Sequence, residues 1–159
     1  MTHKIGCISY ATDQGLGILM KDFYDAGVVT DPLIVRHSSR TTHTEWYPDD
    51  TPVVNARTLT VESSLNPVDN FLKRIDTLLV FETPFDWRII AKCRRYNVRT
   101  VLVPMYECMP TTLPEVPDVI ACPSTLDLKY YKEDPRYQSR SLLMPIPVNS
   151  LVEYEPRGS

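Results

Sequence analysis

Residues 77–108, TLLVFETPFDWRIIAKCRRYNVRTVLVPMYEC, decide how the chain folds. The stretch opens on a continuous apolar run, Leu78, Leu79, Val80 and Phe81, and nears its end on another, Val101, Leu102 and Val103. Between them Ile89, Ile90, Cys93 and Tyr96 recur at the spacing of one helix face. Short apolar strands joined by a helix imply two parallel strands buried on both faces. Thr83 and Pro84 predict the helix start, since proline is well tolerated at the first helical position. Asp86 adds favourable first-turn charge, and Lys92, Arg94 and Arg95 sit near the C-terminus, where cations suit the helix dipole. A carboxylate follows each strand, Glu82 and then Glu107, at the end where α/β proteins bind ligands.

Working outward, residues 4–10 (KIGCISY) read as a first strand. A glycine-containing loop, residues 11–17, leads into a helix to about Ala26, with Leu16, Leu19, Met20 and Phe23 on one face and Gly27 as its left-handed terminator. A second strand covers residues 33–36. A third, edge strand is expected over residues 53–61 and a short helix over 68–74. Beyond Val103, residues 118–122 (DVIAC) predict a strand, Pro123 and Ser124 cap a helix to about Tyr131, and residues 141–146 form the last strand. The sum is an α/β fold: a Rossmann-like open, mostly parallel sheet of six or seven strands with helices on both faces. Its expected order is 3-2-1-4-5-6, with the switch point between strand one and the strand at 77–81.

The totals narrow the function classes. At 159 residues the chain suits one domain, residues 1–150, with a tail at 151–159 that has no core pattern. A net charge of -3 gives no electrostatic reason to expect a nucleic-acid partner. No apolar run is long enough to span a membrane, and the N-terminus shows no signal-peptide pattern, so a cytoplasmic protein is expected. Cys7, Cys93, Cys108 and Cys122 are too scattered for a CxxC pair and read as reduced, mostly core residues. With three histidines and no ligand spacing, no metal site is expected.

Several residues converge on the carboxyl edge of such a sheet. Gly15 and Gly17 would let a phosphate approach the amides of the first helix, or merely permit a tight turn. The pattern GxGxxG is incomplete, because Met20 stands where its third glycine would be. The polar segment 37–52 follows the second strand on the same edge, bringing Arg36, His37, Arg40, His43, Glu45, Trp46 and Tyr47. It reads either as a ligand-contacting loop or as a solvated one anchored by Trp46. Asp13, Glu82 and Glu107, with Tyr106 beside the last, would line one rim.

The runs Phe81-Glu82-Thr83-Pro84-Phe85-Asp86-Trp87 and Val103-Pro104-Met105-Tyr106-Glu107-Cys108 carry a family resemblance. Together with Ile5-Gly6-Cys7, the segment Tyr10 to Gly17, Arg36-His37, Glu45-Trp46-Tyr47 and Cys122-Pro123-Ser124, they resemble the N-terminal half of bacterial and phage glycosyltransferases of the two-domain GT-B fold. The resemblance implies an acceptor-side domain facing a C-terminal domain that holds the nucleotide-sugar donor. That second domain is absent from this sequence, so the chain alone is expected to be inactive. It further implies transfer of a sugar to an acceptor hydroxyl, with no cofactor beyond the donor as co-substrate. Asp13, Glu82 and Glu107 are then the candidate bases, and Gly15, Gly17, Arg36, His37, Arg40, Trp46 and Tyr106 the candidate binding residues. The competing expectation is a stand-alone, non-catalytic Rossmann-like module that binds a nucleotide or a protein.

Overall fold

A computed structural model describes residues 2–59, 67–105 and 109–144. The elements run β1 (Ile5–Tyr10), α1 (Leu16–Asp25), β2 (Asp31–Arg36), β3 (Val53–Asn55), α2 (Ala56–Leu59), α3 (Pro67–Leu72), β4 (Thr77–Phe81), α4 (Arg88–Arg95), β5 (Arg99–Val103), β6 (Val119–Cys122), α5 (Thr125–Lys132) and β7 (Ser141–Leu143). Short 3-10 turns lie at Thr44–Trp46 and Gln138–Arg140.

All seven strands are parallel, in the order β3-β2-β1-β4-β5-β6-β7. The expected order is thus present, with β7 as the seventh strand. The order reverses at β1, which pairs with β2 on one side and β4 on the other. The registers Tyr10↔Val35 and Phe81↔Val103 bring the carboxyl ends of β1, β2, β4 and β5 to a common edge.

The strands read as apolar runs because both sheet faces are covered, and every residue of β4 is buried. One face packs Leu33, Val35, Leu78, Val80, Leu102, Ile120 and Cys122 beneath Leu59 of α2, Val68, Phe71 and Leu72 of α3, Ile89 and Cys93 of α4, and Tyr131 of α5. The other packs Cys7, Ile34, Leu79, Phe81, Val103 and Ala121 with Met20 and Phe23 of α1 and with Tyr47. Helix stops follow the sequence: Gly27 takes φ 78° after α1 and Asn97 takes φ 57° after α4. Ser124 caps α5 by accepting a hydrogen bond from the Asp127 amide.

Two element boundaries and one side-chain role depart most from expectation. The third strand stops at Asn55, because its partner β2 ends at Arg36, the residue paired with Asn55; Leu59, read as a strand residue, belongs to α2. Helix α4 starts at Arg88, not at Thr83 and Pro84. Glu82 takes φ 65° and turns the chain out of β4, and the Asp86 carboxylate accepts the Arg88 amide at 2.9 Å to begin the helix. Lys92 is not merely helix-end charge: it is buried and donates to Asp69 of α3 at 2.8 Å. The continuation of the last strand past Met144, and the tail at 151–159, lie outside the described residues.

Candidate functional site

The sequence places its candidates at the carboxyl edge, and two of its loops meet there. The loop after β1 enters α1 through Gly15, at φ 54°, a conformation that favours glycine. Helix α1 has no side-chain cap and no acidic residue in its first turn, leaving its N-terminal end open to an anion. The loop after β2 is tied to it twice. The His43 amide donates to the Ala11 carbonyl at 2.7 Å, and the Arg40 guanidinium donates to the Gln14 side chain.

That second loop is closed on itself by His37. Its amide donates to the Thr42 hydroxyl at 3.2 Å, while its ring Nδ1 accepts the amides of Ser39 at 3.1 Å and Arg40 at 3.0 Å. The ring stands edge-on to Tyr10, centroids 4.8 Å apart, and Tyr10 stands edge-on to Phe85 at 5.0 Å. Three aromatic side chains, from the ends of β1 and β2 and from the loop after β4, therefore adjoin at the switch point.

Further along, His43 lies parallel over the Trp46 indole at 4.5 Å and pairs through Nδ1 with Glu45 at 2.7 Å. The Glu45 backbone amide, with His43 second, holds the Glu45 carboxyl below the usual range. One indole face is thus already occupied by His43. The deepest anchor of this loop is Tyr47, 5% exposed, rather than the half-buried Trp46. Tyr47 stacks edge-on with Tyr24 of α1 at 5.0 Å, and burial pushes its phenol pKa upward.

Of the carboxylates, Asp13 is exposed and makes no cap on α1. Glu82 is half-buried, at positive φ, and its amide donates to the Val103 carbonyl at 2.8 Å, extending the ladder between β4 and β5. The two follow neighbouring strands at one edge. Arg36 is exposed at the end of β2. Glu107 and Tyr106 lie outside the described residues. At the rim His37 and Arg40 are in direct contact, and Arg40 reaches Gln14, the residue before Gly15, so that the glycine loop lies beside them, with Asp13 and Glu82 following neighbouring strands at the same edge.

Sequence reading points to the loops that hold Gln14 and Phe85 without singling out either residue, and it misses Tyr10. An aromatic residue ending an apolar strand reads as core, and both Tyr10 and Phe85 do pack partly on it. The available signal was position: each lies within a few residues of a strand's carboxyl end at the switch point.

Clefts are also found away from the switch point. One of ≈ 190 Å³, lined by Tyr24, Asp31, Asp50, Pro52 and Arg74, opens near the amino ends of β2 and β3. Another of ≈ 240 Å³ lies between Ile34, Val53 and the segment from Thr44 to Thr51. Among the described residues there is no cluster of three or more His, Cys, Asp or Glu able to hold a metal ion. Among them, too, no helix is long and apolar enough to cross a membrane.

The fold defines the class: a Rossmann-like α/β protein with one open parallel sheet. Beyond that class, no protein-family model and no curated protein matches the chain.

Proposed function

We propose that this chain is the acceptor-side domain of a two-domain glycosyltransferase that moves a sugar from a nucleotide-sugar donor to an acceptor hydroxyl. A parallel α/β sheet alone hosts many activities, so the reading rests on its edge. The observation that carries it is where the ETPFDW run falls. This run forms the loop after β4, with Glu82 strained at φ 65° and Phe85 edge-on to Tyr10, which in turn meets His37. Strained non-glycine residues concentrate at functional sites.

Transfer forms a bond between the acceptor oxygen and the sugar's anomeric carbon and breaks the bond from that carbon to the diphosphate. The acceptor proton leaves to a base, and the departing diphosphate carries away negative charge. Asp13, Glu82 and Glu107 are the bases available to an inverting reaction. The open end of α1, with Arg40 beside it, favours negative charge. The donor is held mainly by the facing domain.

The test is transfer by the protein joining this domain to its donor-binding half. Asp13→Ala and Glu107→Ala are each expected to abolish turnover while leaving the circular dichroism spectrum and Tm unchanged. Wild-type turnover in both would remove these residues from the mechanism. Micromolar binding of NAD by the domain alone would instead favour a stand-alone nucleotide-binding module.

A further inference from the structure

We infer that His37 is a neutral hydrogen-bond donor of fixed tautomer, which presents Nε2–H to an oxygen acceptor on the ligand and is not the general base. This rests on the reading of the rim as a ligand site, and names one residue's role there. A neutral imidazole has one donor and one acceptor nitrogen. Nδ1 of His37 faces two backbone amides, of Ser39 at 3.1 Å and Arg40 at 3.0 Å. Amides only donate, so Nδ1 carries the lone pair and the proton resides on Nε2. The Ser39 hydroxyl, 3.5 Å from Nδ1, can add a third donor.

The ring is fixed from two directions. The turn from His37 to Thr42 holds its Nδ1 side, and Tyr10, braced by Phe85, meets its face or edge at 4.8 Å. Nε2 points away from that turn and has no partner among the described residues. A general base needs a lone pair towards the acceptor hydroxyl. Here the only lone pair is committed to the loop, and moving the proton to Nδ1 would forfeit both amide bonds. What Nε2–H can bind is an oxygen acting as acceptor, such as a hydroxyl, carbonyl or phosphate oxygen. Because Arg40 gives its amide to His37 and its guanidinium to Gln14, the same arrangement sets the cation against the glycine loop.

The tautomer is read directly by nitrogen NMR on the ¹⁵N-histidine-labelled chain. His37 is expected to show an unprotonated Nδ1 and a protonated Nε2 in its neutral form; the reverse pattern, or an even mixture, overturns the inference. Two replacements separate the loop from the donor. In His37→Asn the side-chain oxygen lies near the Nδ1 position and keeps the Ser39 and Arg40 amides protected from hydrogen exchange. In His37→Gln the distal amide supplies a donor near Nε2, and that protection is lost. In the transfer assay, His37→Asn raises the acceptor KM roughly three- to tenfold, the worth of one neutral hydrogen bond, without changing the pH profile of kcat. A collapse of kcat with loss of its acidic limb would make His37 the base and overturn the inference. If no transfer occurs at all, the NMR result still decides the tautomer, so failure of the glycosyltransferase reading is told apart from failure of this one.

Discussion

A Cβ atom added to Gly17 would stand 2.1 Å from the carbonyl oxygen of Thr12. The loop after β1 folds back onto the first turn of α1 so closely that no side chain fits. Gly15, two residues earlier, has open space around it but sits at φ 54°. The two glycines are therefore required for different reasons, contact and conformation. Gly17→Ala is expected to cost about 3 kcal/mol, at the upper end of overpacking, because the obstructing atoms are backbone. Gly15→Ala should cost about 1–2 kcal/mol through strain alone. Urea unfolding of both variants measures the difference, and equal costs would contradict this account.

Glu82 and Asn97 both adopt left-handed backbone, but the cost differs. Asn tolerates this region; Glu does not. Glu82→Gly relieves strain of about 1–3 kcal/mol, offset by the roughly 0.5–1 kcal/mol entropic penalty of glycine. It should raise Tm, whereas Asn97→Gly should leave Tm nearly unchanged. If Glu82 serves the reaction, the stabilised variant loses transfer, and a thermal melt beside an activity assay reads both effects.

How much was legible follows from what each residue touches. β4 and β5 were readable because strands covered on both faces carry continuous apolar runs, here residues 78–81 and 101–103, a pattern needing no knowledge of partners. The strand order then followed from parallel crossovers. Local signals failed where a distant contact won. Pro84 fits a helix start, but the turn at Glu82 and the Asp86 carboxylate move that start to Arg88. Trp46 is the larger side chain, yet Tyr47 is the one that meets α1. In the site, glycine announced itself, since its conformational role is local. The pairing of Tyr10, His37 and Phe85 comes from three separated segments, and nothing local marks it.

The buried pair Lys92–Asp69 ties α4 to α3, with both side chains about a tenth exposed. Lys92→Met alone leaves a buried carboxylate unpaired and should cost about 3–5 kcal/mol. Combining it with Asp69→Leu removes both charges and should recover most of that loss. A double-mutant cycle by chemical denaturation measures the coupling; additive effects would show that the pair contributes little.

Cys7, Cys93 and Cys122 are free thiols in the core. Burial pushes Cys93 up to about 12 and Cys122 up to about 11, and raises Cys7 as well. The thiolate is the reactive form, so these three should resist iodoacetamide at pH 8 in the native protein and react on unfolding. Mass spectrometry of alkylated peptides, with and without urea, tests this. Rapid native labelling of Cys7 or Cys93 would contradict the burial described.

Asp86 links helix α4 to acid stability. Its carboxylate accepts the Arg88 amide at 2.9 Å and pairs with the guanidinium at 2.7 Å. The Arg88 side-chain hydrogen bond, foremost, holds its pKa below the ordinary carboxylate range. A group depressed in the folded state binds fewer protons there than when unfolded, so its contribution is present above about pH 4, the usual aspartate value. It is lost as pH falls through the lowered folded value. Asp86→Ala should therefore cost about 1–2 kcal/mol at pH 7, from the lost hydrogen bond of the Arg88 amide to a charged acceptor. Asp86→Asn, which keeps an acceptor for the amide, should cost less. Below about pH 4 the wild type should lose Tm more steeply than Asp86→Asn, so that the two curves converge. Parallel curves across that range would show that Asp86 is not a source of the acid sensitivity.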